Sequence, residues 1–299
     1  MIAPSIVLLI PYFGRWPFWM PFFLETVRHN PDINWLFFSN CGIPENLPPN
    51  VCIRECSFDS YCELVSTRLG ITFRPGSAYK LCDIKPALGH IHAADIVNFD
   101  FWGFSDIDLV YGDLRGYFTP ERLARFDLLS THARRVSGHL CLMRNTTVMR
   151  ELFMQVPCWR ETFMKDEHCA FDEGAFSRLF VRHKNWPEGL RRIMDRFNQR
   201  RQRSEFIEAF TTPNARIAWH DGSSEFPARW IWREGRLTND RDRAREFPYF
   251  HFITWKSKVW PNMPIERLMK DSSVSRQCAW SVSAKGFEAE TIQSSIVGR

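Results

Sequence analysis

An α/β fold with a mostly parallel central sheet flanked by helices is predicted for this chain, on three observations. Residues 5–10 (SIVLLI) form an unbroken aliphatic run stopped by Pro11-Tyr12-Phe13-Gly14, the pattern of a parallel strand buried on both faces that ends in a loop. A helical segment and a second strand follow at once, and a strand–helix–strand series implies a right-handed crossover unit. With 299 residues, 44% hydrophobic and 15% aromatic, the chain has ample material for a large core.

Taken in order, residues 17–30 read as an aromatic-rich helix closed by Asn30-Pro31, and residues 34–39 (NWLFFS) and 50–53 (NVCI) as the next strands. In such a sheet a ligand sits beyond the carboxyl ends of the strands, which points to Pro11, Tyr12 and Phe13. No GxGxxG follows the first strand, which argues against a dinucleotide. Residues 57–69 read as a helix capped by Ser57 or Asp59. Further strands are expected at 127–131 and 137–145, the latter entered through Gly138 and His139. His139 is a candidate for a sugar or phosphate oxygen, with a satisfied core histidine as the alternative. Beyond about Trp260 the chain turns serine-rich and polar, so residues 1–256 are expected to form the main domain and 257–299 a loosely ordered extension.

The net charge of +5 is modest, and no nucleic-acid partner is expected. Basic residues concentrate between Arg182 and Arg203, where six arginines from Arg191 onward suit phosphates or anionic lipid headgroups, or else a solvated helix face. Nine cysteines without a CxxC pair, and no secretory leader, imply reduced thiols and a cytoplasmic setting. The apolar start is too short to span a bilayer.

The chemistry centres on residues 100–113 (DFWGFSDIDLVYGD), where an aromatic strand runs into two carboxylates. In extended backbone residues two apart share a face, so Asp106 and Asp108 stand side by side and repel unless a cation lies between them. Hard divalent ions, Mn²⁺ or Mg²⁺, accept carboxylate oxygens and bridge to phosphates, which suggests a metal site for a diphosphate-bearing substrate. A second D-x-D, Asp240-Arg241-Asp242, lies in a charged run with no strand before it and reads as a solvated loop. Upstream, Lys80, Asp83 and Lys85 precede the acidic strand, and two lysines would neutralise a diphosphate. Asp172 and Glu173 open an apolar segment, where helix-start acids are the alternative to a catalytic role. His220 and His251 are further candidate ligands, His251 inside an aromatic run.

The segments FWGFSDID (101–108), YKLCDIKP (79–86) and YFHF (249–252) together resemble a bacterial family of glycosyltransferase-like proteins associated with capsule, exopolysaccharide and O-antigen assembly. The resemblance spans roughly residues 5–256. It implies a GT-A, Rossmann-type nucleotide-diphospho-sugar transferase fold in which Asp106 and Asp108 hold the metal and the donor diphosphate. It further implies His251 as a metal ligand and a carboxylate from Asp172 or Glu173 as the base of an inverting hexosyltransferase. The donor would be a nucleotide diphosphate sugar, foremost a UDP-sugar, and the acceptor a glycan or lipid-linked glycan, with peripheral contact at the inner membrane. A metal-dependent nucleotidyl- or phosphotransferase and a non-catalytic glycan-assembly partner are the alternatives.

Overall fold

Strands in chain order are β1 (Ile6–Pro11), β2 (Ile33–Ser39), β3 (Val51–Glu55), β4 (Phe101–Ser105), β5 (Leu109–Tyr111), β6 (Leu128–Ser130) and β7 (Leu140–Arg144). They continue with β8 (Ser204–Phe206), β9 (Arg229–Arg233), β10 (Arg236–Asn239), β11 (Tyr249–His251), β12 (Ala279–Ser283) and β13 (Gly286–Ala289). These elements come from a computed structural model that describes residues 3–181, 186–213, 218–242, 244–268 and 272–290. The chain divides into two units interleaved in sequence. The first comprises Met1–Trp16, Asp32–Asp106 and Phe118–Glu208, and the second Pro17–Pro31, Ile107–Tyr117 and Ala209–Arg299.

The first unit is built on a seven-stranded sheet in the order β3-β2-β1-β4-β7-β6-β8. β1 pairs in parallel with β2 and β4, and β2 with β3, whereas β7 runs antiparallel to both β4 and β6. β1 is buried along almost its whole length, as its uniform aliphatic sequence requires of a strand covered on both faces. Helix α2 (Phe58–Leu69) starts at Ser57, whose hydroxyl accepts from the Ser60 amide at 3.0 Å, and ends at Gly70 in the left-handed conformation. Its face of Tyr61, Cys62, Val65 and Leu69 joins Val7, Leu9, Leu36 and Phe38 in one core. In β4, Gly103 is needed because a Cβ would lie 2.4 Å from the Cys141 carbonyl on β7.

The second unit holds a four-stranded antiparallel sheet, β10-β9-β12-β13, and the two-stranded β5–β11 ladder. Its core is aromatic, with Trp230, Trp232, Trp280, Phe250 and Phe287 buried together. Helix α1 (Met20–Arg28) belongs here: Phe22 stacks on Phe287 at 4.0 Å between ring centroids. The helix between β1 and β2 thus sends Phe22 into this aromatic core. The stretch 257–299, expected to be a loose extension, holds β12 and β13 among its described residues. β12 pairs along β9, Trp280 and Val282 are fully buried, and Ser281, one of the serines that made the segment look polar, accepts a hydrogen bond from Arg229 at 3.0 Å. Residues 291–299 lie outside the described residues.

Candidate metal and donor site

The carboxyl ends of the parallel strands present Pro11, the last residue of β1, with Tyr12 and Phe13 after it, and Asp106 after β4. β1 and β4 are in register from Ile6 opposite Phe101 to Leu9 opposite Phe104, and Asp106 follows directly on the last residue of β4. The position of Asp106 is fixed by its amide, which donates to the His139 carbonyl at 3.0 Å. Lys85, the first residue of a short 3-10 helix, reaches the same place. Its ammonium donates to the Gly138 carbonyl at 2.7 Å and forms a short ion pair with the Asp106 carboxylate. Burial lowers the affinity of Lys85 for its proton, but Asp106, Cys82 and Asp172 outweigh it and hold the ammonium well above its ordinary range.

Asp172 lies beside this pair, only 3% exposed, with Oδ1 accepting from the Glu173 amide at 2.8 Å. Gly138 makes room for it, since a Cβ there would stand 2.8 Å from Asp172 Oδ2. Burial pushes the Asp172 carboxyl up to about 7; Lys85 pulls it down, and Glu173 and Asp106 push it up. A carboxyl poised there can give or take a proton near neutrality. Glu173 is more open and pairs with Arg135 at 3.2 Å.

In the second unit Asp108 begins the turn into β5. Trp19 anchors that turn by donating from its indole to the Ile107 carbonyl at 3.0 Å. β11 runs antiparallel to β5 with His251 opposite Leu109, and this register brings His251 Nε2 to 3.3 Å from Asp108 Oδ2. The helical turn after β11 then carries Lys256 back, its amide bonded to the Phe252 carbonyl at 3.0 Å and its ammonium 2.7 Å from the same Asp108 oxygen. Asp108 is 2% exposed. Burial raises its pKa, but His251 and Lys256 together hold the carboxyl far below the usual carboxylate range. Asp106 is joined to Asp108 through Ile107 alone, and Asp106, Asp108 and His251 each offer one atom suited to a metal ion. Two carboxylate oxygens and one imidazole nitrogen fit a divalent ion of intermediate hardness.

A model described as a family of unknown function, DUF6625, matches residues 8–277. The chain belongs to DUF6625. Curated proteins give no match. Among solved structures, this DUF6625 member is similar to the galactosyltransferase LgtC, with 10% identity, a TM-score of 0.40, and coverage of 89% of this chain and 91% of that one. It is also similar to mouse xyloside xylosyltransferase 1 (10% identity, TM-score 0.35, covering 70% and 87%). The glycosyltransferase GlyE of Streptococcus pneumoniae gives 13% identity and a TM-score of 0.34, over 70% of this chain and 46% of that one. The chain thus spans less than half the length of GlyE. Likenesses this slight do not assign an activity.

The remaining sequence candidates fall elsewhere in this DUF6625 chain. Lys80 and Asp83 were expected to face a donor, yet they close on each other at 2.9 Å inside the first unit, with no side-chain exposure. The Lys80 ammonium also serves the carbonyls of Thr162 at 2.8 Å and Glu167 at 2.6 Å, while Asp83 accepts from the amides of Cys169 and Phe171, both at 2.9 Å. Four backbone groups bind this pair, so its charges are spent on joining segments. The His139 ring lies 3.1 Å from the Ser137 hydroxyl, and what His139 gives to the site is its carbonyl. Tyr12 stacks on Trp16 with centroids 5.4 Å apart, and Phe13 packs on Phe58 and Tyr61. His220 is exposed against Phe210. The second D-x-D is a turn in which Asn239 accepts from the amides of Arg241 at 3.0 Å and Asp242 at 2.7 Å. Sequence reasoning missed Lys256 and Arg135. For Lys256 the signal was present: it stands four residues after Phe252 in the run that supplies His251.

Proposed function

We propose that this chain transfers a sugar from a nucleotide diphosphate sugar, a UDP-sugar first among them, to a glycan or lipid-linked glycan of the bacterial surface, by a metal-dependent, inverting reaction of GT-A type. The observation that carries this reading is the pairing of Asp108 with His251 across the β5–β11 ladder, one residue removed from Asp106 at the end of a parallel strand. Asp106, Asp108 and His251 would hold Mn²⁺ or Mg²⁺. When bound, such an ion supplies positive charge to a departing diphosphate. Lys85 holds the Asp106 carboxylate from one side and is a second cation for phosphate oxygens. Lys256, more than a third exposed and paired with Asp108, would offer its ammonium to an incoming anion. Asp172 is favoured over Glu173 as the base, because its proton affinity is matched to neutral pH while Glu173 is engaged by Arg135. Capsule, exopolysaccharide or O-antigen assembly is the setting that the motif resemblance suggests.

Incubation of the full chain with Mn²⁺ and a panel of nucleotide sugars tests the proposal. Release of a nucleoside diphosphate supports glycosyl transfer. Release of pyrophosphate would replace this reading with nucleotidyl transfer, and absence of both binding and release would leave a non-catalytic assembly partner.

A further inference from the structure

One helix of the first unit keeps its apolar stripe in solvent. The helix Glu188–Asp195 and the turn after it carry Leu190, Ile193, Met194 and Phe197, at the i, i+3, i+4, i+7 spacing that normally marks a core-facing surface. Here these side chains are 53%, 53%, 41% and 80% exposed, and Trp186 just before the helix is 47% exposed. A contiguous exposed patch of five large apolar side chains is unusual on a free protein surface and marks a contact with something apolar.

The composition around the stripe says what that contact is. From Trp186 to Arg203 the sequence has six arginines against two acids. Arg196 is exposed beside Phe197. Arg203, although paired with Asp127 at 2.6 Å, keeps 54% of its side chain in water. A folded protein partner would meet the stripe with apolar surface but has no general reason to be anionic around it. A bilayer of anionic lipids offers both at once, phosphates at the level of the arginines and acyl chains beneath them. An exposed apolar stripe in an arginine-rich segment is suited to lie in the plane of that boundary.

We infer that the segment from Trp186 to Arg203 docks the first unit on an anionic lipid surface, with Leu190, Ile193, Met194 and Phe197 inserted among the acyl chains and Arg196 and Arg203 on the phosphates. The inference does not depend on the transfer reaction and holds or fails without it.

The test is sedimentation of the full chain with vesicles of phosphatidylcholine alone and of phosphatidylcholine mixed with phosphatidylglycerol. Preferential binding to the anionic vesicles is expected. It should fall at least tenfold in the double variant Leu190→Gln, Phe197→Gln, and about fivefold in Arg196→Gln, one basic residue's share of attraction to an anionic surface. Both variants alter exposed positions, and an unchanged thermal midpoint checks that each is folded. Equal recovery with and without phosphatidylglycerol, or unaltered binding by the double variant, would overturn the inference. So would light scattering that shows a concentration-dependent dimer abolished by the double variant without any vesicle binding, which would give the stripe to a second copy of the chain.

Discussion

Replacing Asp172 by asparagine should change stability and rate in opposite senses. In the folded chain the Asp172 carboxyl is raised from 3.8 to about 7, chiefly by burial, so the native state holds this proton more tightly than the unfolded chain does. Stability from this group is therefore complete below the unfolded value and is lost as pH rises toward 7. About three units at 1.36 kcal/mol each make that loss roughly 4 kcal/mol. Asparagine keeps the shape and the hydrogen bond from the Glu173 amide, and it does not titrate. Measured by urea unfolding with tryptophan fluorescence at intervals from pH 4 to 8, the variant should gain on the wild type by up to roughly 4 kcal/mol across that range. Over the same range wild-type turnover should climb as the base deprotonates near pH 7, while the variant loses a factor of about 10² to 10⁴. Parallel stability curves for the two proteins would refute the buried, proton-holding Asp172. Turnover that survives the change would remove Asp172 from the chemistry.

The double change Asp106→Asn, Asp108→Asn should abolish Mn²⁺-dependent binding of a nucleoside diphosphate in calorimetry while the chain stays folded; unchanged affinity would refute the metal site. His251→Ala should weaken that binding and His220→Ala should not, because only His251 touches Asp108; the reverse result would mean that the wrong histidine has been assigned. Lys256→Met should tighten Mn²⁺ binding by about tenfold, the equivalent of one charge-assisted hydrogen bond that the ion no longer has to displace, and weaker binding would make Lys256 a supporting group instead of a competitor. Lys80→Met should cost about 3–5 kcal/mol in denaturant unfolding, since Asp83 is left buried and uncompensated; a loss under 1 kcal/mol would contradict the structural role given to that pair.

The parts of the fold legible in the sequence are those governed by local pattern. β1, β2, β4 and β7 announce themselves as apolar runs, and the cap of α2 is written in Ser57 and its spacing to Ser60. Asp106 and Asp108 stand out for the same reason, two acids at the end of a strand that is otherwise aromatic. What local pattern cannot carry is the choice of partner. Nothing around residue 80 distinguishes a lysine that will be sealed against Asp83 from one that will reach Asp106; the difference lies in the carbonyls of Thr162 and Glu167, some eighty residues downstream. Phe22 of helix α1 packs on Phe287 and Trp280, a contact that depends on strands near the far end of the chain. β12 and β13 escaped notice because serines that read as solvent-facing are partly buried and bonded in the β9–β12 ladder.

Each acid of the proposed metal site already has a cation supplied by the chain. Lys85 answers Asp106 within the first unit, and Lys256 answers Asp108 within the second. A buried carboxylate without such a partner would protonate rather than wait for an ion, and the pairing at Asp108 holds that carboxyl far below the usual carboxylate range. These pairings also turn metal binding into an exchange, in which the ion must release an ammonium before it gains a carboxylate oxygen. The two exchanges are unequal. The Lys85 ammonium is buried and also bonded to the Gly138 carbonyl, whereas Lys256 has more than a third of its side chain in water. An ammonium displaced from Asp108 would then be available to a phosphate oxygen, so ion and donor would bind cooperatively, each favouring the arrangement that the other requires.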